Sequence, residues 1–260
     1  MSEQLQSDFD KITKTLKISE DEIQIKKNFL KKFIKSGFPN RKQEDWKFLD
    51  ISQIIKKNIS DLSFFNDYSQ SNKIDPSTFV DGFEHNKIIF INGKIEKIDF
   101  KYEDQNKIEI SDEINRDISF DYENSLIDLN SAFTHKVFKI LIKKDYSLKK
   151  PLIIYHSTND KIKSTNINLR LDFELGENSC LRLIDFFTDN TAKNFVNIFY
   201  NFNLEKDSIL KNYKIDKFKN DNLKYSFNNI DQGDNSVSET FILSAGSDYF
   251  KNEINCNLKG

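Results

Sequence analysis

Residues 166–175 read Asn-Ile-Asn-Leu-Arg-Leu-Asp-Phe-Glu-Leu. An apolar residue at every second position is the period of a β-strand. Ile167, Leu169, Leu171, Phe173 and Leu175 therefore share an apolar face, and Asn166, Asn168, Arg170, Asp172 and Glu174 share a polar, solvent-directed one. Gly176-Glu177-Asn178 supplies a turn into a second strand over 180–187. Val196, Ile198, Tyr200, Phe202 and Leu204 repeat the alternation, and residues 205–208 end it. Further strands are expected near 209–215, 223–227, 237–243 and 249–258, so the chain from Val137 onward is almost entirely β. Strand starts recur about every dozen residues, which suits a sandwich, a barrel or a solenoid. No short consensus repeat marks a solenoid with a fixed register.

Working back toward the N-terminus, the period changes. Residues 87–91 and 94–100 flank Asn92-Gly93, a hairpin signal, because both turn positions of a type I′ turn need positive φ. A short helix is expected over 122–133, and residues 60–86, with Asp75-Pro76, read as an irregular connection. The first 60 residues are helical. Leu5, Phe9, Ile12 and Leu16 line one face of a first helix. A second opens on Ser19 and Glu22, a capping box, with Ile18 positioned to staple onto Ile23. Its apolar face runs through Phe29, Leu30, Phe33 and Ile34, and Gly37 with Pro39 ends it. Trp46 and a further helical turn or two over 51–57 follow. Three regions result: helical 1–60, mixed α/β 61–136, and a β core over 137–260.

The chain has 260 residues, 39 basic and 41 acidic, for a net charge of −2, which argues against a nucleic-acid binder. Only four of the basic residues are arginine, and alanine occurs three times, a skew typical of an AT-rich genome rather than of a site. The seven glycines are scattered, so there is no P-loop or dinucleotide fingerprint. His85, His135 and His156 stand alone and read as surface or hydrogen-bonded core histidines, and no HExxH pair is present. Cys180, among Leu181, Leu183 and Phe186, reads as a small buried hydrophobe, and Cys256 carries no activating signal. Two cysteines fit a reducing compartment, and apolar runs fall far short of a membrane helix, so the expectation is a cytoplasmic protein. Asp and Glu sit mostly on alternating solvent faces, and no spacing singles out a catalytic pair. Trp46 reads as a packing anchor.

Residues 38–48, Phe-Pro-Asn-Arg-Lys-Gln-Glu-Asp-Trp-Lys-Phe, resemble the segment after the N-terminal helices in the SufD branch of the SufB/SufD family of iron–sulfur cluster assembly scaffolds, with Phe48 in place of a tyrosine. The turn at Ile91-Asn92-Gly93 is similar to that family's strand turn. Leu129-Asn130-Ser131-Ala132-Phe133 resembles its Leu-Asn-x-Ala-Phe helix, and Lys150-Pro151-Leu152-Ile153-Ile154 its Lys-Pro strand step. The run from Leu171 to Asp185 is similar to the start of its β-helical core. Phe250-Lys251-Asn252-Glu253 and Leu258-Lys259-Gly260 look like a late rung and turn, Lys251 and Asn252 matching loosely.

The resemblance spans the chain. It implies a mainly β fold with a helical N-terminus, a right-handed parallel β-helix, incomplete at its C-terminal end because Gly260 would fall inside the β-helix. It further implies a non-catalytic scaffold that pairs with SufB and docks the SufC ATPase, the iron–sulfur cluster being handled by the complex. No catalytic, cofactor-binding or metal-binding residue carries over to a matching position. A chain ending inside the β-helix would be expected to self-associate and to lack the ATPase-docking helices. The competing expectations are a β-helical carbohydrate-active enzyme, which needs a polar groove with convergent carboxylates, and the paralogue SufB, expected to supply additional cysteines.

Overall fold

The computed structural model describes residues 2–16, 18–59, 61–66, 79–113, 124–158, 162–187, 193–217, 223–246 and 249–259. Among the described residues, four α-helices, α1 (Ser2–Leu16), α2 (Glu20–Ser36), α3 (Ile51–Asn58) and α4 (Ser125–Phe133), accompany twelve strands. These are β1 (Asn86–Ile91), β2 (Lys94–Asp99), β3 (Ile108–Glu113), β4 (Val137–Ile142), β5 (Leu152–Ser157), β6 (Asn166–Leu175), β7 (Cys180–Phe187), β8 (Phe195–Leu204), β9 (Ile209–Lys217), β10 (Leu223–Gln232), β11 (Val237–Ala245) and β12 (Tyr249–Leu258). The strands form two six-stranded sheets, ordered β11-β9-β7-β5-β1-β2 and β12-β10-β8-β6-β4-β3. From β5 onward each strand lies in the sheet opposite its predecessor. Same-sheet neighbours are parallel except for the antiparallel pairs β1–β2 and β3–β4. This is a β-solenoid of about four turns preceded by helices, the parallel β-helix that the family resemblance implied.

The corners contain the repeat that inspection of the sequence missed. Gly176-Glu177-Asn178-Ser179, Glu205-Lys206-Asp207-Ser208 and Gly233-Asp234-Asn235-Ser236 occupy equivalent turns. In each, the third residue adopts positive φ (56°, 56° and 55°), as does Asp145 one turn earlier (57°). Asp and Asn tolerate this left-handed region better than other non-glycine residues. In each, the serine N–H donates to the carbonyl of the first residue, at 3.1–3.2 Å. The turns also stack: the N–H groups of Asp145, Asn178 and Asp207 donate to Glu177, Lys206 and Asp234 carbonyls, each at 2.9 Å. Gly176 and Gly233 occupy close approaches, where a Cβ would lie 2.6 Å from the Lys144 nitrogen and 2.9 Å from the Leu204 oxygen, respectively.

The helices follow their sequence signals closely. Ser19 Oγ accepts from the Glu22 N–H, and Gly37 ends α2 with φ 68° and ψ −170°, a conformation open only to glycine. Leu5, Phe9, Ile12, Phe29, Leu30 and Phe33 are buried, whereas Ile34, expected on the apolar face, is 39% exposed. Asn92 and Gly93 have the positive φ expected of the hairpin turn. Residues 122–123 of the expected short helix, and Asp75-Pro76, lie outside the described residues.

One expectation is corrected. The even-numbered side of β6 does not face solvent along its whole length: Asn166, Asn168 and Arg170 are buried. Helix α4 lies across β6 and β8, and Asn130 Nδ2 donates to the carbonyls of Leu169 and Asn197. Phe195, Phe199, Leu223, Tyr225, Phe227 and Tyr249, from the outer face of the same sheet, join the core of the four helices.

The corner geometry gives a direct test. Gly176→Ala forces a Cβ against backbone that cannot swing aside, and should cost about 1–3 kcal/mol by denaturant unfolding. Gly82→Ala, where nothing lies within 4 Å, should change stability by less than ~0.5 kcal/mol. Equal effects from the two substitutions would refute the close-approach reading.

Candidate functional site

Inside the solenoid, the inward rows are set by strand parity. In one sheet, successive rungs align Phe90, His156, Phe187 and Asp216, and beside them Ile88, Ile154, Asp185 and Lys214. The His156 ring is sandwiched between Phe90 (5.5 Å, 11°) and Phe187 (4.3 Å, 10°). In the other sheet, Leu171, Tyr200 and Asn228 align, as do Leu169, Ile198 and Ser226. The interior is thus mainly apolar through the earlier rungs, admits His156 on β5 and Asp185 on β7, and becomes largely polar from β9 onward.

The change is organised around Asp185, which is 0% exposed. Its Oδ1 accepts from His156 Nε2 at 2.6 Å, which makes Nε2 the protonated ring nitrogen. Its Oδ2 accepts from the Tyr200 hydroxyl across the lumen at 2.5 Å and from Lys214 Nζ at 3.1 Å. Lys214 also lies 3.4 Å from the Tyr200 ring centroid. At the neighbouring corner, Lys224 Nζ donates to Asp216 Oδ1 at 2.6 Å and sits 3.5 Å from the Phe187 ring centroid. Burial would raise the Asp185 pKa, but the Lys214 charge and then His156 outweigh it and hold the carboxyl well below the usual range. Burial lowers the pKa of His156, which therefore sits neutral beside the carboxylate. Burial also lowers Lys214 to about 8, against the pull of Asp185, and drives the Tyr200 hydroxyl well above its ordinary value.

These are two ion pairs in a protein interior, whose desolvation largely offsets their attraction. Several polar atoms around them have no protein partner: both amide atoms of Asn212, Asp216 Oδ2 and Asn228 Oδ1. Each such group costs about 1–3 kcal/mol when left unmet. His156, Asp185, Tyr200, Lys214, Asp216 and Lys224 are all buried. The chemistry of the cluster is the retention of charge and protons.

A second cluster joins the segment around Trp46 to the last described rung. Trp46, in a 3-10 turn over Glu44–Trp46, is 5% exposed and packs on Tyr225 at 5.8 Å. Lys251 Nζ lies 4.1 Å from the Trp46 ring centroid, donates to the Asp45 carbonyl at 2.7 Å and pairs with Glu253 at 2.8 Å. Glu253 Oε2 accepts from the Tyr225 hydroxyl at 2.6 Å and from Asn124, the N-cap of α4, at 3.2 Å. Trp46 is the buried anchor the sequence suggested.

The remaining sites the sequence raised do not converge. His85 is half-buried, its Nδ1 bonded to the Phe83 carbonyl and its Nε2 to the Tyr155 hydroxyl. His135 is half-buried, and burial, reinforced by Lys136, lowers its pKa to about 4. Cys180 is only half-buried, on the outward side of β7, and so is not the interior hydrophobe expected. Cys256 is exposed, and its Sγ donates to Gln232 Oε1 at 2.9 Å. Among the described residues, no helix is long and apolar enough to cross a membrane.

The expectation that acidic residues keep to solvent faces fails at Asp185 and Asp216. The signal was parity: Asp185 shares the phase of Leu181, Leu183 and Phe187, and Asp216 that of Leu210. Compared with known proteins, the chain matches no family model, and no curated protein matches it.

Two predictions follow from these clusters. Folded Lys214 releases its proton near pH 8, whereas unfolded lysine does so near 10.4. The unfolded state therefore binds more protons in between, and stability should rise as pH increases from about 8 toward 10. Above about pH 10 the gain reverses, because tyrosines whose hydroxyl pKa is raised by folding, Tyr200 and Tyr249, stay protonated where the unfolded chain ionises. Urea unfolding of wild type and Lys214→Met at several pH values should show a smaller rise in the variant, and identical slopes would contradict the assignment.

At the second cluster, Trp46→Ala should cost ~3–5 kcal/mol. A double-mutant cycle with Lys251→Met should return a coupling of about 0.5–2 kcal/mol. Strictly additive effects would mean that the two side chains do not act on each other.

Proposed function

We propose that this chain is a non-catalytic scaffold subunit of the SufB/SufD type. In this reading it is a right-handed β-helix working in the cytoplasm, pairing with a SufB-like paralogue and serving a SufC-like ATPase, while the complex handles the iron–sulfur cluster. The observation that carries the reading is the contact between Trp46 and Lys251. These residues lie in two of the segments that resemble the family, and they meet through a ring contact of 4.1 Å and the Lys251–Asp45 hydrogen bond.

The surroundings of two other quoted segments support the reading. The Leu-Asn-x-Ala-Phe helix is α4, whose Leu129, Ala132 and Phe133 are buried and whose Asn130 binds the backbone of β6 and β8. The Lys150-Pro151 step is held by Glu103, which accepts from the backbone N–H groups of Lys149 and Lys150 at 3.0 Å. A scaffold reading also suits the surface. Glu174, Glu177 and Glu239 each pair with a lysine of a neighbouring rung or corner, Lys139, Lys144 and Lys211, at 2.6–3.1 Å. Such pairs contribute little stability individually. They engage these carboxylates separately rather than converging them on a groove.

Expression from the natural gene together with SufB-like and SufC-like partners of the same genome tests the proposal. Affinity purification should recover the SufB-like protein in equal amount, with the ATPase joining the assembly. Recovery of neither partner, or hydrolysis of a polysaccharide by the purified chain alone, would overturn it.

A further inference from the structure

We propose that the polar interior of the solenoid, between β9 and β10, binds ordered water that bridges Asn212, Asp216 and Asn228 to the ammonium groups of Lys214 and Lys224. Asn212, Lys214 and Asp216 project inward from β9, in register with Leu183, Asp185 and Phe187 on one side. Asn228 projects inward from β10, in register with Tyr200. Asn212, Asp216 and Asn228 are each at most 1% exposed. Both Asn212 amide atoms, Asp216 Oδ2 and Asn228 Oδ1 lack a protein partner. Each ammonium has three N–H donors. Lys214 directs one to Asp185, and Lys224 directs one to Asp216.

The unmet groups identify the ligand class. They include three acceptor oxygens and the Asn212 amide donor, besides the spare ammonium N–H groups. The formal charges of Asp185 and Asp216 balance those of Lys214 and Lys224, which favours neither a cation nor an anion. A small neutral molecule that both donates and accepts is needed, and water with two to four polar partners is the ordinary solution inside proteins. The polar lining continues toward the outer rungs, where Thr240 and Ser238 stand in register with Asn212 and Leu210, and Asn252 with Ser226. The hydrated cell therefore connects the Asp185 cluster with the more exposed end of the interior.

Oxygen-17 magnetic relaxation dispersion on the wild-type protein counts long-lived internal water, and a crystal structure at atomic resolution locates it. The expected result is long-lived water together with density within hydrogen-bonding reach of Asn212 and Asp216 Oδ2. A dry interior there, or an ion in that position, would overturn the proposal. Asn212→Leu provides a second test. In a hydrated cell the leucine displaces water and leaves its other partners unmet, so the variant should lose at least one long-lived water and melt no higher than wild type. A rise of several degrees in Tm would mean that Asn212 was an unmet dry amide, and the proposal would fail. Asn212→Ser, which keeps a donor and an acceptor, should retain the dispersion signal even if the leucine variant does not fold.

Discussion

Along one side of the solenoid, the corners that lead from β4 to β5, β6 to β7, β8 to β9 and β10 to β11 must each turn the chain into the opposite sheet while remaining one strand spacing, ~4.8 Å, from the corner above. A left-handed Asp or Asn at Asp145, Asn178, Asp207 and Asn235 makes the turn, and a ladder of backbone hydrogen bonds joins successive turns. Once the corners are stacked, the strands between them inherit a common register, and side-chain parity is transmitted from rung to rung. Everything inside follows from that transmission. A residue placed inward on one strand has an inward neighbour above and below, whatever its chemistry.

Parity explains why the interior carries charge. A one-residue slip of β9 would turn Lys214 and Asp216 outward and bring Ile209, Lys211, Tyr213, Ile215 and Lys217 inward in their place. That alternative row is the more apolar one, so the register set by the stacked neighbours, not the pattern of β9 itself, holds its polar row inward, where it is accommodated by pairing. Asp185 neutralises Lys214, Asp216 neutralises Lys224, and flat rings on either side of His156 exclude competing contacts. On the outside of the other sheet the same stacking yields an asparagine ladder, Asn201, Asn229 and Asn255, linked side chain to side chain at 2.8–3.0 Å.

Local structure was legible wherever one residue sufficed to dictate it. Ser19, Gly37 and Asn92-Gly93 marked caps and a turn because their physical roles do not depend on distant partners. The alternation over 166–175 revealed a strand but not its neighbours, since period two is common to every sheet. The parallel β-helix came from family resemblance. Its corner signature was present at 176–179, 205–208 and 233–236, but it varies between Gly and Glu at the first position and between Asn and Asp at the third. Backbone conformation rather than residue identity is what repeats. The lumen cluster was less visible still, because an Asp in phase with leucines becomes meaningful only once Lys214, 29 residues later, is known to lie beside it.

The contact of Lys251 with Trp46 and Asp45 has a mechanical consequence. A solenoid contacts mainly its nearest neighbours along the axis, so a bare one peels from an end, rung by rung. Here the last described rung grips the segment between α2 and α3, and the chain between Asp45 and Lys251, a separation of 206 positions, is closed into a non-covalent loop. Tension entering beyond Lys251 and leaving before Asp45 crosses the molecule through this grip. Together with the packing of the helices on the outer face of the same sheet, the contact diverts load from the rungs inside the loop, and so acts as a fuse in parallel with the fold.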